Sequence, residues 1–201
     1  MIAPNAIRSV VCFKLLGDWL ATLKIKVSGG ILILMSVYAP RAGKKYENQN
    51  TLFDNVAKAP AQHGRHNITT ALGDFNARLG EQLPGEEDVI GGVRREGRPE
   101  SNRELLIETC RETRSIIANT CFNRPLEQVV TYYAPAPGIG PTFDITNTEF
   151  AQLDYCLVDA EALSMIGDVW TDRKAALPTR HFLLTVSLDV KFGKQKPKDK
   201  K

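Results

Sequence analysis

Apolar and polar positions alternate over 18–27, with Trp19, Leu20, Leu23, Ile25 and Val27 as apolar members, until Ser28-Gly29-Gly30 interrupts. A branched apolar run follows over 31–38. Two strands around a Gly-Gly turn predict a β-hairpin. Ala39-Pro40 ends its second strand, because proline has no N–H for the ladder. Over 46–59, Leu52, Phe53 and Val56 recur at helical spacing, and Pro60 sets the predicted stop. A short strand over 68–72 runs into Gly73-Asp74-Phe75-Asn76, and the charged, Gly-rich stretch 79–99 reads as a loop. Ser101 followed by Glu104 predicts a capping box, with Leu105, Leu106, Thr109 and Cys110 on one face of the ensuing helix. Strands are predicted over 115–119, 129–133, 153–158 and 182–190, and a turn over 135–141. Strands interleaved with at least two helices predict an α/β sandwich of mixed sheets.

The chain has 201 residues, 43% of them apolar and 24% charged, enough for one well-cored domain and short for two. The apolar run from Ile31 to Val37 is too short to cross a bilayer, and no secretory signal is read, which points to an intracellular protein with the nucleus as one destination. The net charge of +3 is deceptive. Residues 191–201 carry six Lys and one Asp, so residues 1–190 sum to −2. The reading is one domain over 1–190 and a disordered Lys-rich tail over 191–201, solvated or acting as a polyanion tether. Cys12, Cys110, Cys121 and Cys156 form no CxxC pair and are expected to be free thiols.

Four short sites fall at strand ends, where a rigid sheet can hold polar groups in fixed geometry: Tyr38-Ala39-Pro40, Gly73-Asp74-Phe75-Asn76, Gln152-Leu153-Asp154-Tyr155 and Thr179-Arg180-His181. Each has a structural alternative. Tyr38 can be a surface strand aromatic, Asp74 and Asn76 can be turn formers, and His181 a structural histidine. Asp154 within an apolar strand needs a partner. His63 and His66 read as surface residues of a polar loop.

Together, and in this order, these sites resemble the endonuclease/exonuclease/phosphatase superfamily with its DNase I-like fold, and among its members the apurinic-type endonuclease domains of non-LTR retrotransposons and their domesticated host relatives. Ser36-Val37-Tyr38-Ala39-Pro40, Gly73-Asp74-Phe75-Asn76-Ala77 and the stretch from Gln152 to Val158 carry the likeness, with 117–122 and Thr131-Tyr132 similar to the middle motifs. The resemblance implies two mixed sheets flanked by helices and a Mg²⁺-dependent phosphodiesterase acting on nucleic acid, DNA first. It implies that Asp74 orients or deprotonates water and touches the metal, and that Asn76 binds phosphate or water. Tyr38 would approach the phosphate, and His181, held by Asp154, would face its oxygens.

The likeness is incomplete. The family's opening segment, with its Asn and metal-binding Glu, has no counterpart, so the fold is expected to be N-terminally truncated. One sheet is then expected to show a free edge, beside 68–72 or 182–190, and to invite self-association. Arg180 stands where the family has an Asp, and Asn102-Arg103 replaces a middle Asn-Gly. Arg180 can face solvent, contact phosphate or mark sequence decay. The expectation is an impaired endonuclease that holds Mg²⁺ weakly or not at all. The alternatives are a non-catalytic nucleic-acid-binding or interaction module and a phosphatase acting on a lipid or small molecule.

Overall fold

A computed structural model describes residues 2–41, 46–61, 67–92, 100–134, 149–175 and 178–193. The turn over 135–141, His63, His66 and residues 194–201 of the tail lie outside the described residues.

The chain opens with α1 (Pro4–Ile7) and β1 (Val10–Leu15), followed by the predicted hairpin of β2 (Leu20–Val27) and β3 (Gly30–Tyr38). Helix α2 (Tyr46–Ala61) leads to β4 (Asn67–Asp74) and the short β5 (Ala77–Arg78). After β6 (Glu100–Ser101) come α3 (Arg103–Thr113) and β7 (Ser115–Ile117). The remaining strands are β8 (Tyr132–Ala134), β9 (Glu149–Ala151), β10 (Asp154–Asp159), β11 (Ile166–Asp172) and β12 (Leu183–Leu188). Six strands form one mixed sheet in the order β1-β2-β3-β4-β10-β7, and β11-β12, β5-β6 and β8-β9 form two-stranded sheets.

The layers follow from strand parity, because side chains two apart share a face. Met35 and Val37 of β3 and Ala71 of β4 point toward α2 and α3, where Leu52, Phe53, Val56, Leu106 and Ile107 close the main core. On the opposite face Ile68, Leu72, Cys156 and Val158 pack against Ile166, Val169, Leu184 and Val186 of β11 and β12. This is an α/β sandwich: helices, mixed sheet, antiparallel ribbon. All four cysteines are free, with Cys110 and Cys156 buried.

Several local expectations are corrected. Strand β4 is no edge: β3 pairs with it in parallel on one side and β10 antiparallel on the other. At the other place, beside 182–190, the expected free edge is present among the described residues, since β12 pairs with β11 alone. The opening segment adds β1 to the far side of β2, away from both places where a free edge was expected. Helix α2 does not stop before Pro60 but continues through it to Ala61. The N-cap of α3 is Asn102 rather than Ser101, and it makes no side-chain capping bond. Its amide is instead drawn to the carbonyls of Pro40 and Phe75, at 3.0 and 2.9 Å. The strand at 115 ends at Ile117 and becomes a 3₁₀ turn over Ala118–Cys121, and the strand expected from 129 begins at Tyr132. The Lys191 carbonyl accepts a hydrogen bond from the Ser28 N–H, and the Gly193 N–H donates to the Lys26 carbonyl, so the chain is tied to the hairpin up to that point.

Candidate active site

Register builds the site. In the parallel β3–β4 pair Tyr38 lies opposite Asp74, and in the antiparallel β4–β10 pair Asp74 lies opposite Asp154. Three adjacent strands thus set Tyr38, Asp74 and Asp154 in one row. Parity fixes their face: Asp74 follows Ile68 and Leu72 by even steps, and Asp154 precedes Cys156 and Val158 likewise. All three therefore project on the face that β11 and β12 cover, at the end of the sheet beyond that ribbon's apolar contacts.

Local backbone chemistry shapes the loop after β4. Gly73 has φ +144°, and a Cβ there would lie 1.9 Å from the Val37 carbonyl oxygen, so no other residue fits. Asn76 has φ 46°, a left-handed conformation that Asn tolerates better than most residues. That turn lets the Asn76 N–H donate to Asp74 Oδ1 at 2.8 Å, while its Nδ2 donates to the Ala39 carbonyl at 2.7 Å and to Asp74 Oδ2 at 3.2 Å. Asn76 thereby fastens the loop after β4 to the end of β3.

His181 arrives from a distant part of the chain. The Phe182 N–H donates to the Thr131 carbonyl and the Tyr133 N–H to the Arg180 carbonyl, which strap 180–182 against the start of β8. The imidazole Nδ1 then lies 2.8 Å from Asp154 Oδ2, and Nε2 lies 3.7 Å from Asp74 Oδ2. The ring of Tyr132 packs against it at a centroid separation of 5.0 Å. Asp154 is placed by its own N–H, which donates to Thr131 Oγ1 at 3.0 Å.

The electrostatics follow from this packing. Burial, then repulsion from Asp154, pushes the Asp74 carboxyl up to about 6, against the pull of the Asn76 N–H, His181 and Arg41. The His181 imidazole is held above its ordinary value, first by its hydrogen bond to Asp154 and then by the charges of Asp154 and Asp74, against burial and Arg41. A carboxyl near 6 beside an imidazole that favours its proton is an acid–base pair matched to neutral pH.

The structure therefore brings Tyr38, Asp74, Asn76, Asp154 and His181 together, with Tyr38 half exposed at the rim. Arg180 is exposed, and its guanidinium makes no hydrogen bond or ion pair to another described residue. Sequence reasoning left out Arg41, whose charge acts on both Asp74 and His181; its place directly after Ala39-Pro40 was the available signal. It also gave no role to the side chains of Thr131 or Asn119. The Asn119 Oδ1 accepts from the Cys156 N–H at 2.7 Å, and its Nδ2 donates to the Asp154 carbonyl at 3.3 Å. Both are buried polar side chains, whose hydrogen-bonding groups must find partners inside the fold.

A resident Mg²⁺ does not fit the described donor set. No three His, Cys, Asp or Glu side chains gather into a metal site among the described residues. Asp154 is engaged by His181, and both oxygens of Asp74 accept hydrogens from Asn76. Mg²⁺ demands octahedral oxygen ligation and dehydrates reluctantly, which one such carboxyl serves poorly.

The mixed sheet, its helical and ribbon layers and the acidic–histidine row at one end define a DNase I-like α/β sandwich, the fold of endonuclease/exonuclease/phosphatase proteins. Solved structures bear this out. The 3'-5' exonuclease NExo from Neisseria meningitidis matches with a TM-score of 0.59 at 16% identity, over 85% of this chain and 65% of that one. The catalytic domain of Xenopus laevis APE2 matches with a TM-score of 0.61 at 17% identity, over 87% of this chain and 56% of that one. An endonuclease/exonuclease/phosphatase family protein from Leptotrichia buccalis matches with a TM-score of 0.53 at 11% identity, over 85% and 53%. The chain thus spans less than two thirds of the length of these structures. No family model and no curated protein matches the sequence.

Proposed function

We propose that this site binds a nucleic-acid phosphodiester, DNA first, and that the chain is an endonuclease-type phosphodiesterase of low intrinsic rate. The observation that carries the reading is the row of Asp74, Asp154 and His181, with His181 Nδ1 2.8 Å from Asp154 and Nε2 3.7 Å from Asp74. In this reading the Asp154 carboxylate fixes the imidazole tautomer and keeps the ring protonated, so that Nε2–H donates to a phosphate oxygen. Asp74, poised near neutrality, takes the proton of an attacking water. The Tyr38 hydroxyl orients the phosphate, Asn76 holds the Asp74 carboxylate in place through its N–H and Nδ2, and Arg41 and Arg180 add positive charge at the rim. The described donors serve a divalent cation poorly, so the rate expected of these residues is low. Two structures of the same neighbour support the substrate class: NExo is described as a 3'-5' exonuclease and, in complex with a product DNA hairpin, as a 3' phosphatase.

Nicking of supercoiled plasmid DNA in Mg²⁺ tests the reading. Slow nicking that Asp74→Ala and His181→Ala each abolish is the expected result. Nicking unchanged by both substitutions would overturn it. A second reading, a non-catalytic DNA-binding module, is favoured by the sparse metal donors. It prevails where the chain binds DNA through His181 and Arg180 yet nicks at no Mg²⁺ concentration.

A further inference from the structure

We propose that the protein forms a two-fold symmetric dimer in which the outer edge of β1 pairs antiparallel with the same edge of a second copy. Strand β1 ends the six-stranded sheet and pairs with β2 alone among the described residues. The Leu16 N–H donates to the Leu20 carbonyl at 2.8 Å, and the ladder runs back from there through Lys14 opposite Thr22 and Cys12 opposite Lys24. Bonding alternates along an antiparallel ladder, so Lys14 and Cys12 are bonded to β2 while Phe13 and Leu15 turn their N–H and C=O groups outward. The same two residues carry large exposed side chains: Phe13 is 60% exposed and Leu15 72%. They lie opposite Leu23 and Ala21, on the sheet face that carries Tyr38, at a part of it that β11 and β12 leave bare. Outward backbone groups and apolar side chains on one edge make a template for another strand.

Self-complementarity selects the second copy as that strand. A two-fold axis through Phe13 sets it against Phe13 of the second copy, where each N–H meets the other chain's carbonyl. It also sets Leu15 against Val11, which the irregular register between Val10 and Cys12 leaves exposed. Lys14, on the opposite face, then stands against the uncharged Cys12. Moving the axis one residue, to Lys14, would oppose two ammonium groups, and like charges directly opposite are destabilising. The ends of the edge agree. Arg8 and Asp18, both exposed, stand five residues before and five after Phe13, so antiparallel pairing brings the Arg8 end of each copy to the Asp18 end of the other. An isologous contact of this kind closes on itself and gives a dimer, not a fibre. Its axis runs perpendicular to the sheet, so both candidate active sites open on one face of a continuous sheet. A contact along a single edge falls short of the about 800 Å² per partner of a standard interface, and the dimer is accordingly weak.

The test is sedimentation velocity of the full chain across a concentration series from about 1 to about 300 μM, the range that a weak interface requires. A reversible shift from the 22.3 kDa monomer to a species of twice that mass is expected, with nothing larger. Phe13→Ser is expected to weaken the dimer by about tenfold or more. Arg8→Asp and Asp18→Arg each set like charges together at both ends, and each is expected to weaken it about tenfold. Mixing these two variants is expected to restore the dimer to within about threefold, because Asp at 8 then meets Arg at 18 at one end and Arg8 meets Asp18 at the other. All three positions are exposed, and circular dichroism confirms that each variant keeps its fold. A monomer at every concentration overturns the dimer, as do a dimer that Phe13→Ser leaves unchanged and growth beyond twice the monomer mass. A mixture no tighter than either charge variant alone overturns the antiparallel two-fold pairing.

Discussion

Replacing Asp74 by Asn is expected to make the protein more stable at neutral pH while removing its function. Asp74 is 8% exposed and stands opposite Asp154, which together raise its carboxyl from 3.8 to about 6. The folded state therefore binds this proton more tightly than the unfolded chain. Ionisation costs folding free energy that is absent below about pH 4, grows as pH rises, and is complete above about pH 6 to 7. The rise from 3.8 to about 6 corresponds to about 3 kcal/mol. The Asp74→Asn variant has no carboxyl proton to lose and escapes this cost. It suffers a constant loss instead: the new amide would set an NH₂ against Asn76 Nδ2, which now donates to Asp74 Oδ2 at 3.2 Å, at about 1 kcal/mol. Flipping the new amide gives no relief, because Asp74 Oδ1 accepts the Asn76 N–H at 2.8 Å and an NH₂ in its place could not. The variant should then be about 1 kcal/mol less stable near pH 4 and about 2 kcal/mol more stable near pH 8. Urea denaturation of both proteins over this range reads the difference directly, and processes common to both cancel. A stability difference that stays flat with pH, within about 0.5 kcal/mol, would show that Asp74 is not held protonated by burial.

Asp154→Asn should lower the pKa of His181, since it weakens the hydrogen bond and removes the charge that hold it up; an NMR titration of the imidazole that leaves the value in place would break the pair. Gly73→Ala should destabilise by more than about 3 kcal/mol, because its Cβ would meet the Val37 carbonyl at 1.9 Å and φ is +144°. An unchanged thermal melt would refute that close approach. Arg103→Leu should cost about 3 to 5 kcal/mol by leaving Glu86, 2.7 Å from the guanidinium and almost fully buried, without its partner. Adding Glu86→Gln should recover part of the loss, and a double variant no better than Arg103→Leu would assign the cost to packing alone.

What could be read along the chain was whatever rests on neighbours in sequence. The β2–β3 hairpin announced itself by alternation around Gly29-Gly30, and Gly73 to Asn76 by residues that only a strained turn requires. Strand ends bearing Tyr38, Asp74, Asp154 and His181 were legible for the same reason. Tertiary structure decided the rest. Strand β10 inserts between β4 and β7, out of chain order, and so sets Asp154 opposite Asp74; strand pairing across such separations leaves no local trace. Asn102 looked like part of a capped helix start, yet the carbonyls of Pro40 and Phe75 compete for its amide and win. His181 reaches Asp154 because Thr131 and Tyr133 bind the backbone around it. The acidity of Asp74 belongs to this last kind of fact. The residue type supplies a carboxyl, but burial and a second carboxylate brought across the ladder decide where it titrates.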